Sequence, residues 1–472
     1  MDLTYAGNQR GTGMNSRPRF AHVSRLGRWL TMAWMAGWIP APAAHADPAP
    51  ESTAPQSIDL PRAIELALQN NPELQAAQSD IDAAVAQRDR ADAARWPTAR
   101  VQAGWTEYRR NQRLFPATSP GDPAVITHHL LGGDVVLAFP LYSAGRISGN
   151  RAAAELMEDS ARNASHWTRV DLVFHVTAAY YAILAQRRLI AALVLAEGAM
   201  AKNIERLDAL VAEQKAAPLD RQRMEVRRVA LQQRRVQEEA ALEVQTLNLL
   251  SLIGLPSDRA AFEIVGDLGK PSMAPSPSPG NLVQEALARR PDCRALRSAV
   301  QAQERRIEVA RAGHYPQLLV QGSYGLRWGL WPSEQPEGAS ALADVGQVGL
   351  YLDVPIFEGG RVDAEVREQR ARLSSMRERL RQAELRVRLE VEAALLDFRA
   401  ALDRVALSEA TIGQAAEAFR VENEKYTEGK STISDVLSAQ SDLLDAEASR
   451  ARALADANVA AAALTRAMGD MP

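Results

Sequence analysis

Residues 96–146 read WPTARVQAGWTEYRRNQRLFPATSPGDPAVITHHLLGGDVVLAFPLYSAGR, and their pattern differs from that of the chain on either side. Val101, Ala103 and Trp105 alternate with Gln102, Gly104 and Thr106. After a polar loop, Val135, Leu137, Phe139 and Leu141 alternate with Asp134, Val136, Ala138 and Pro140. Alternation with a period of two predicts strands with two different faces. Two strands are not stable alone, so this hairpin needs further strands.

The chain supplies them by repeating itself. Asn71-Pro72-Glu73 returns as Arg290-Pro291-Asp292, Trp96-Pro97 as Tyr315-Pro316, and Val101-Gln102 as Val320-Gln321, all at an offset of 219. Beyond the hairpin loop the offset is 215. Pro140-Leu141-Tyr142 matches Pro355-Ile356-Phe357, Gly145-Arg146 matches Gly360-Arg361, and Gly254 matches Gly469. One offset held over more than a hundred residues marks a tandem duplication, with the four-residue loss in a loop, where deletions are tolerated.

The second hairpin has the same parity. Val320, Tyr324, Leu326 and Trp328 alternate with polar or small residues, as do Val348, Leu350, Leu352 and Val354. Strands are expected at about 99–109, 133–142, 318–328 and 345–356. Strands of about 10 residues suit a transmembrane barrel, with Trp105, Tyr324 and Trp328 at lipid–water boundaries. The residues assigned to lipid are Val101, Trp105, Val135, Leu137, Phe139, Val320, Tyr324, Val348, Leu350 and Leu352. A soluble sheet packed on helices alternates too, so the strands alone leave that alternative open.

Proline-free stretches follow each hairpin, from Gly145 to Gln214 and from Gly360 to Glu428. As helices, each is about 100 Å long. Val391, Phe398, Val405, Ile412, Phe419 and Tyr426 recur every seven residues. Val176, Ile183, Ile190, Glu197, Ile204 and Val211 hold the same register. A sustained seven-residue step predicts a left-handed coiled coil. Turns at Ala217-Pro218 and Gly429-Lys430 send shorter helices back to Gly254 and Gly469. Ahead of the first hairpin, short helices are expected from Ile58 to Asn71 and from Pro72 to about Arg95.

Residues 1–46 read as a secretory signal, with basic Arg17, Arg19, Arg25 and Arg28, an apolar core from Trp29 to Ile39, and Ala44-His45-Ala46 before the cleavage point. Met14 is an alternative start. A flexible leader is expected over 47–57, the first repeat over 58–269, a Pro/Ser-rich linker over 270–280 and the second repeat over 281–472. Of the 472 residues, 46% are hydrophobic, 24% charged and 5% aromatic. The signal carries five Arg and one Asp, so its removal shifts the net charge from −3 to −7. That charge gives no electrostatic case for nucleic acid. The single cysteine, Cys293, cannot form an internal disulfide and is expected to pack as a small apolar residue. The histidines lack metal-ligand spacing, and His128-His129 reads as a solvated loop pair. With no phosphate loop, dinucleotide turn or nucleophile elbow, the chain is expected to be no enzyme and to need no cofactor.

Four strands cannot close a barrel, and an open sheet edge is not tolerated in lipid. Several chains must therefore share one barrel. The duplicated helix–hairpin–long helix–turn–helix unit resembles the TolC-like outer membrane efflux protein family. So do Asn71-Pro72-Glu73-Leu74, Phe139-Pro140-Leu141-Tyr142 with Gly145-Arg146, and the run from Tyr426 to Leu437 (YTEGKSTISDVL). The resemblance implies a mainly helical fold with a β membrane part. Four strands per chain contribute to a trimeric twelve-stranded barrel, and coiled-coil hairpins form a periplasmic α-barrel. It further implies a Gram-negative outer membrane location, with an inner-membrane transporter and a periplasmic adaptor as partners. By the same resemblance, Asp435 lines an acidic constriction at the periplasmic tip, with Ser438 where the best-known members carry a second acid. Tyr426 and Asp220 form a gate latch, with Ser431 replacing a latch arginine. The other class considered is a periplasmic coiled-coil scaffold or adaptor that never enters the membrane.

Overall fold

A computed structural model describes residues 56–109, 129–214, 217–255, 262–271, 279–329 and 342–471. The signal segment, His128 and most of the linker lie outside them. In chain order the elements are β1 (Gln56–Ile58), α1 (Leu60–Asn70), α2 (Pro72–Ala93), β2 (Thr98–Glu107), β3 (His129–Tyr142), α3 (Arg146–Ala212) and α4 (Pro218–Ile253). The second half has β4 (Phe262–Ile264), α5 (Pro279–Arg289), α6 (Pro291–Arg311), β5 (Gln317–Gly329), β6 (Leu342–Asp353), α7 (Arg361–Thr427) and α8 (Ile433–Met468).

The duplication is legible in the lengths: α3 and α7 have 67 residues each, and α4 and α8 have 36 each. Local signals set their ends. Asn71 caps α2 by accepting from the Glu73 and Leu74 amides at 2.8 and 3.3 Å. Each long helix starts after a left-handed glycine, Gly145 or Gly360. Each returning helix stops at another, Gly254 or Gly469, where a side chain has no room. A Cβ on Gly254 would lie 2.5 Å from the Asn70 carbonyl oxygen, and one on Gly469 would lie 2.9 Å from the Arg290 Cα. These contacts stack α4 against the α1–α2 turn and α8 against the α5–α6 turn. The same bond closes both junctions: Asn71 Nδ2 donates to Leu252 O at 2.8 Å, and Arg290 Nη1 donates to Ala467 O at 3.3 Å.

The helices form a wall one helix thick. Near the sheet its order is α2-α3-α6-α7, and farther away it is α4-α3-α8-α7. Of the heptad positions, Val176, Ile183, Ile204, Val391, Phe398 and Val405 are buried, while Ile412, Phe419 and Tyr426 are half-buried. The polar exception, Glu197, is paired with Arg235 at 3.0 Å. Four strands form one antiparallel sheet in the order β2-β3-β5-β6. Adding 219 to Thr98 and 215 to its partner Ala138 gives the pair Gln317–Asp353, so both hairpins share one register.

Several boundaries differ from what the sequence suggests. β3 begins at His129 rather than at 133, so His129 lies in a strand beside the Trp105 ring and not in a solvated loop, and β6 runs from Leu342 to Asp353 rather than over 345–356. Ile58 lies in a strand, not a helix, and the leader does not extend through Gln56 and Ser57. These residues pair in parallel with Phe262–Ile264. A three-residue strand whose partner is two hundred residues away leaves no periodic signal. The linker also ends earlier, because Pro279 and Gly280 already belong to α5.

Candidate functional site

The register sorts the sheet into two faces. Val101 stands opposite Val135, Val135 opposite Tyr324, Leu137 opposite Gly322, Phe139 opposite Val320, and Val320 opposite Leu350. Trp105 joins the same face through Leu131, Val348 through Gly322, and Leu352 through Leu318. All ten residues assigned to lipid therefore share one face; nine of them are exposed, Phe139 only just, and Val320 is half-buried. Leu131, Leu326, Trp328 and Leu342 extend this face. So large a bare apolar surface is unusual on a soluble protein and marks an interaction with membrane or protein.

The opposite face carries Arg100, Gln102, Asp134, Gln321, Ser323, Arg327, Gln347 and Asp353, interspersed with small residues and with Val136, Leu319, Val345 and Tyr351. Here Arg327 makes a two-pronged ion pair with Asp134, Nη1 to Oδ1 at 2.8 Å and Nη2 to Oδ2 at 2.9 Å. It bridges β3 of the first repeat and β5 of the second. The glycine opposite Asp134 makes room for it, since a Cβ on Gly325 would lie 2.3 Å from Asp134 Oδ1.

At the far end, Asp435 is exposed in the first turn of α8, and Ser438 lies three residues on, also exposed. Thr432 and Asp435 form a capping box. Asp435 Oδ2 accepts from the Thr432 amide at 3.0 Å and from the Thr432 hydroxyl at 2.6 Å. These bonds, the hydroxyl first, hold the Asp435 carboxyl below the usual carboxylate range. A depressed pKa contributes stability above the ordinary value, which is lost as pH falls through the lowered one. The box should therefore outlast ordinary carboxylate interactions on acidification. Thr432→Ala is expected to fray this turn, costing about 1 kcal/mol. Hydrogen exchange of the first α8 amides should speed up about fivefold, while amides in the helix middle should not change.

The proposed latch residues lie near one another but are not bonded as a latch. Tyr426 is half-buried against the core formed by Leu207, Met224 and Val436. Burial, and then the nearby Asp220 carboxylate, raise its phenol pKa. Among the described residues no hydrogen bond joins Tyr426 to Asp220, and Asp220 Oδ1 instead stands 4.0 Å from Arg223 Nη1. Ser431 is engaged within its own chain, donating to Glu422 Oε2 at 2.7 Å.

Residues 63–255 and 282–470 match the family model for outer membrane efflux proteins. The chain belongs to the outer membrane efflux protein family. It is 28% identical over 252 residues to the pyoverdine export outer membrane protein OpmQ of Pseudomonas putida, a match covering 51% of this chain and 50% of OpmQ. The chain thus spans about half the length of that relative. The match to CyaE of Bordetella pertussis is longer, 27% over 486 residues, covering 95% of this chain and 96% of CyaE. Among solved structures the fold resembles VceC of Vibrio cholerae, with a TM-score of 0.72 at 21% identity over 87% of this chain and 96% of VceC.

As a member of this family the chain is an outer-membrane protein. Arg290, to which no role is assigned from sequence, is the best-buried cation among the described residues. Arg290 is 2% exposed. It bonds Asp292 and Glu390, each at 2.7 Å, and lies 4.4 Å above the Trp167 ring. Arg466 stacks on the same ring at 5.2 Å and pairs with Asp171. Together they tie α3 of the first repeat to α6, α7 and α8 of the second. The signal was available: Arg290 stands where the first repeat has Asn71, a cap residue that is itself buried.

Proposed function

We propose that three copies of the chain form a passive, gated duct through the outer membrane and periplasm, working with a periplasmic adaptor and an inner-membrane transporter. Each copy contributes four strands to a twelve-stranded barrel. The carrying observation is the sheet itself, which has one bare apolar face, a more polar face bearing the Arg327–Asp134 pair, and, among the described residues, no further strand beside β2 or β6. The ten apolar residues face lipid and the Arg327–Asp134 side faces water. A periplasmic scaffold would leave that apolar face uncovered. No reaction is required of the protein, since the partner supplies the energy.

At the tip, the exposed Asp435 side chains of three copies converge. A ring of carboxylates favours cations in a narrow pore. Ser438 adds no charge, so the ring is single. With Ser431 bound to Glu422, a latch would require Tyr426 and Asp220 to bond each other once the copies assemble. The purified protein in planar bilayers is expected to conduct with cation preference, and Asp435→Asn is expected to lower that preference severalfold. Unchanged selectivity in Asp435→Asn would remove this residue from the pore. Absence of conductance in the parent protein would count against the duct.

A further inference from the structure

The two repeats use one arginine differently. In the first, Arg235 of α4 holds two carboxylates, donating from Nε to Glu197 Oε1 of α3 at 3.0 Å and from Nη1 to Glu239 Oε1 at 2.7 Å. The repeat offset of 215 carries Arg235 to Arg450 of α8, Glu197 to Ile412 of α7 and Glu239 to Leu454 of α8. The guanidinium is kept, and both of its carboxylates have become apolar side chains. Among the described residues Arg450 has no hydrogen-bond or ion-pair partner. It stands instead on a cleft of about 400 Å³ walled by α3, α7, α8 and the segment that follows β4. Ile412, Leu454, Leu195 and Leu268 give the cleft its apolar lining. Two further charges on it, Arg188 and Asp267, pair with each other. Glu447, where the first repeat has the neutral Gln232, also lines the cleft, half-buried and without a partner among the described residues. Burial pushes its carboxyl pKa up.

We infer that this cleft binds a small organic monoanion, whose carboxylate takes the place of Glu197 and Glu239 at the Arg450 guanidinium and whose apolar body lies over Ile412, Leu454 and Leu268. The first repeat itself shows what a guanidinium in this frame binds, and arginine–carboxylate bonds are strong and directional. An apolar lining with few polar groups, in a volume between about 300 and 1,000 Å³, is the make-up of a small-molecule site rather than of a solvated helix face. Glu447 limits the ligand's charge, because a second carboxylate in the cleft would meet its own. The site is built within one chain, from α3 of the first repeat, α7 and α8 of the second and the segment between them. It therefore stands or falls separately from the stoichiometry and the gating of the duct.

The test is equilibrium dialysis of the full-length protein in non-ionic detergent against radiolabelled 2-naphthoate. Chambers with detergent alone measure uptake by micelles, and 2-naphthamide serves as the uncharged analogue of the same shape. Saturable binding of one naphthoate per chain is expected, with the amide severalfold weaker. Arg450→Gln should weaken naphthoate about tenfold, the worth of a hydrogen bond to a charged group, and leave the amide unchanged. Ile412→Glu restores the carboxylate of the first repeat, occupies the guanidinium and should cause a similar loss. Glu447→Gln should tighten naphthoate severalfold, a gain that a misfolded variant would not show. No saturable uptake by the parent at millimolar naphthoate, equal binding of acid and amide, or full naphthoate binding by Arg450→Gln would overturn the site and leave the duct standing.

Discussion

Arginine in place of Val135 is expected to strip the protein from the outer membrane. Val135 lies mid-strand on the apolar face, flanked by Val101 and Tyr324. A charge at the middle of a barrel's lipid face costs about 2–4 kcal/mol. The barrel carries the residue once per chain, so a trimer bears about three times that, comparable to the whole stability of a typical domain. Gln347→Arg is the matched control. Gln347 sits at nearly the same height, opposite Ser323 and Val136, but on the polar face. It is expected to assemble normally. Membrane fractionation and resistance to protease decide between them. Equal behaviour of the two variants would mean that the faces are assigned wrongly.

The second large effect is expected at Arg290. Replacing it with Ala leaves Glu390 and Asp292 facing a space from which the guanidinium has gone. Breaking a buried ion pair from one side costs about 3–5 kcal/mol. The loss should appear as a lower denaturation midpoint of the detergent-solubilised protein. Adding Glu390→Gln should recover part of it, because the second change removes a carboxylate left with only its outer partner, Arg386, at 2.8 Å. Residues in one network couple in this way, whereas independent sites add. Simple additivity of the two changes would show that the pair is not a unit.

Most of the fold was legible because two different periods, two and seven residues, occur twice in the same order. Val101 to Trp105 and Val391 to Tyr426 announce strand and coiled coil without help from tertiary contacts. The repeat fixed the helix ends too, since Gly145 and Gly360, and Gly254 and Gly469, fall at equivalent places. What escaped was non-local. The β1–β4 ladder is three residues long and joins the two ends of the first repeat. The burial of Arg290 depends on Trp167, Glu390 and Ala467, all far away in sequence. At the tip, the motif singles out residues that lie near one another in the fold. It could not tell that Asp435 is held by Thr432, or that Ser431 turns toward Glu422, because these bonds depend on how the turn between α7 and α8 is folded.

The whole account turns on how the bare sheet face and the two free edges are covered. Electron cryomicroscopy of the protein extracted from outer membranes tests this most directly. The expected particle has threefold symmetry, a twelve-stranded barrel inside the detergent belt with Val135 and Leu350 facing the belt, and a helical tube continuing from it. A particle of another symmetry, or a single chain whose apolar sheet face is packed against its own helices outside any detergent belt, would contradict it.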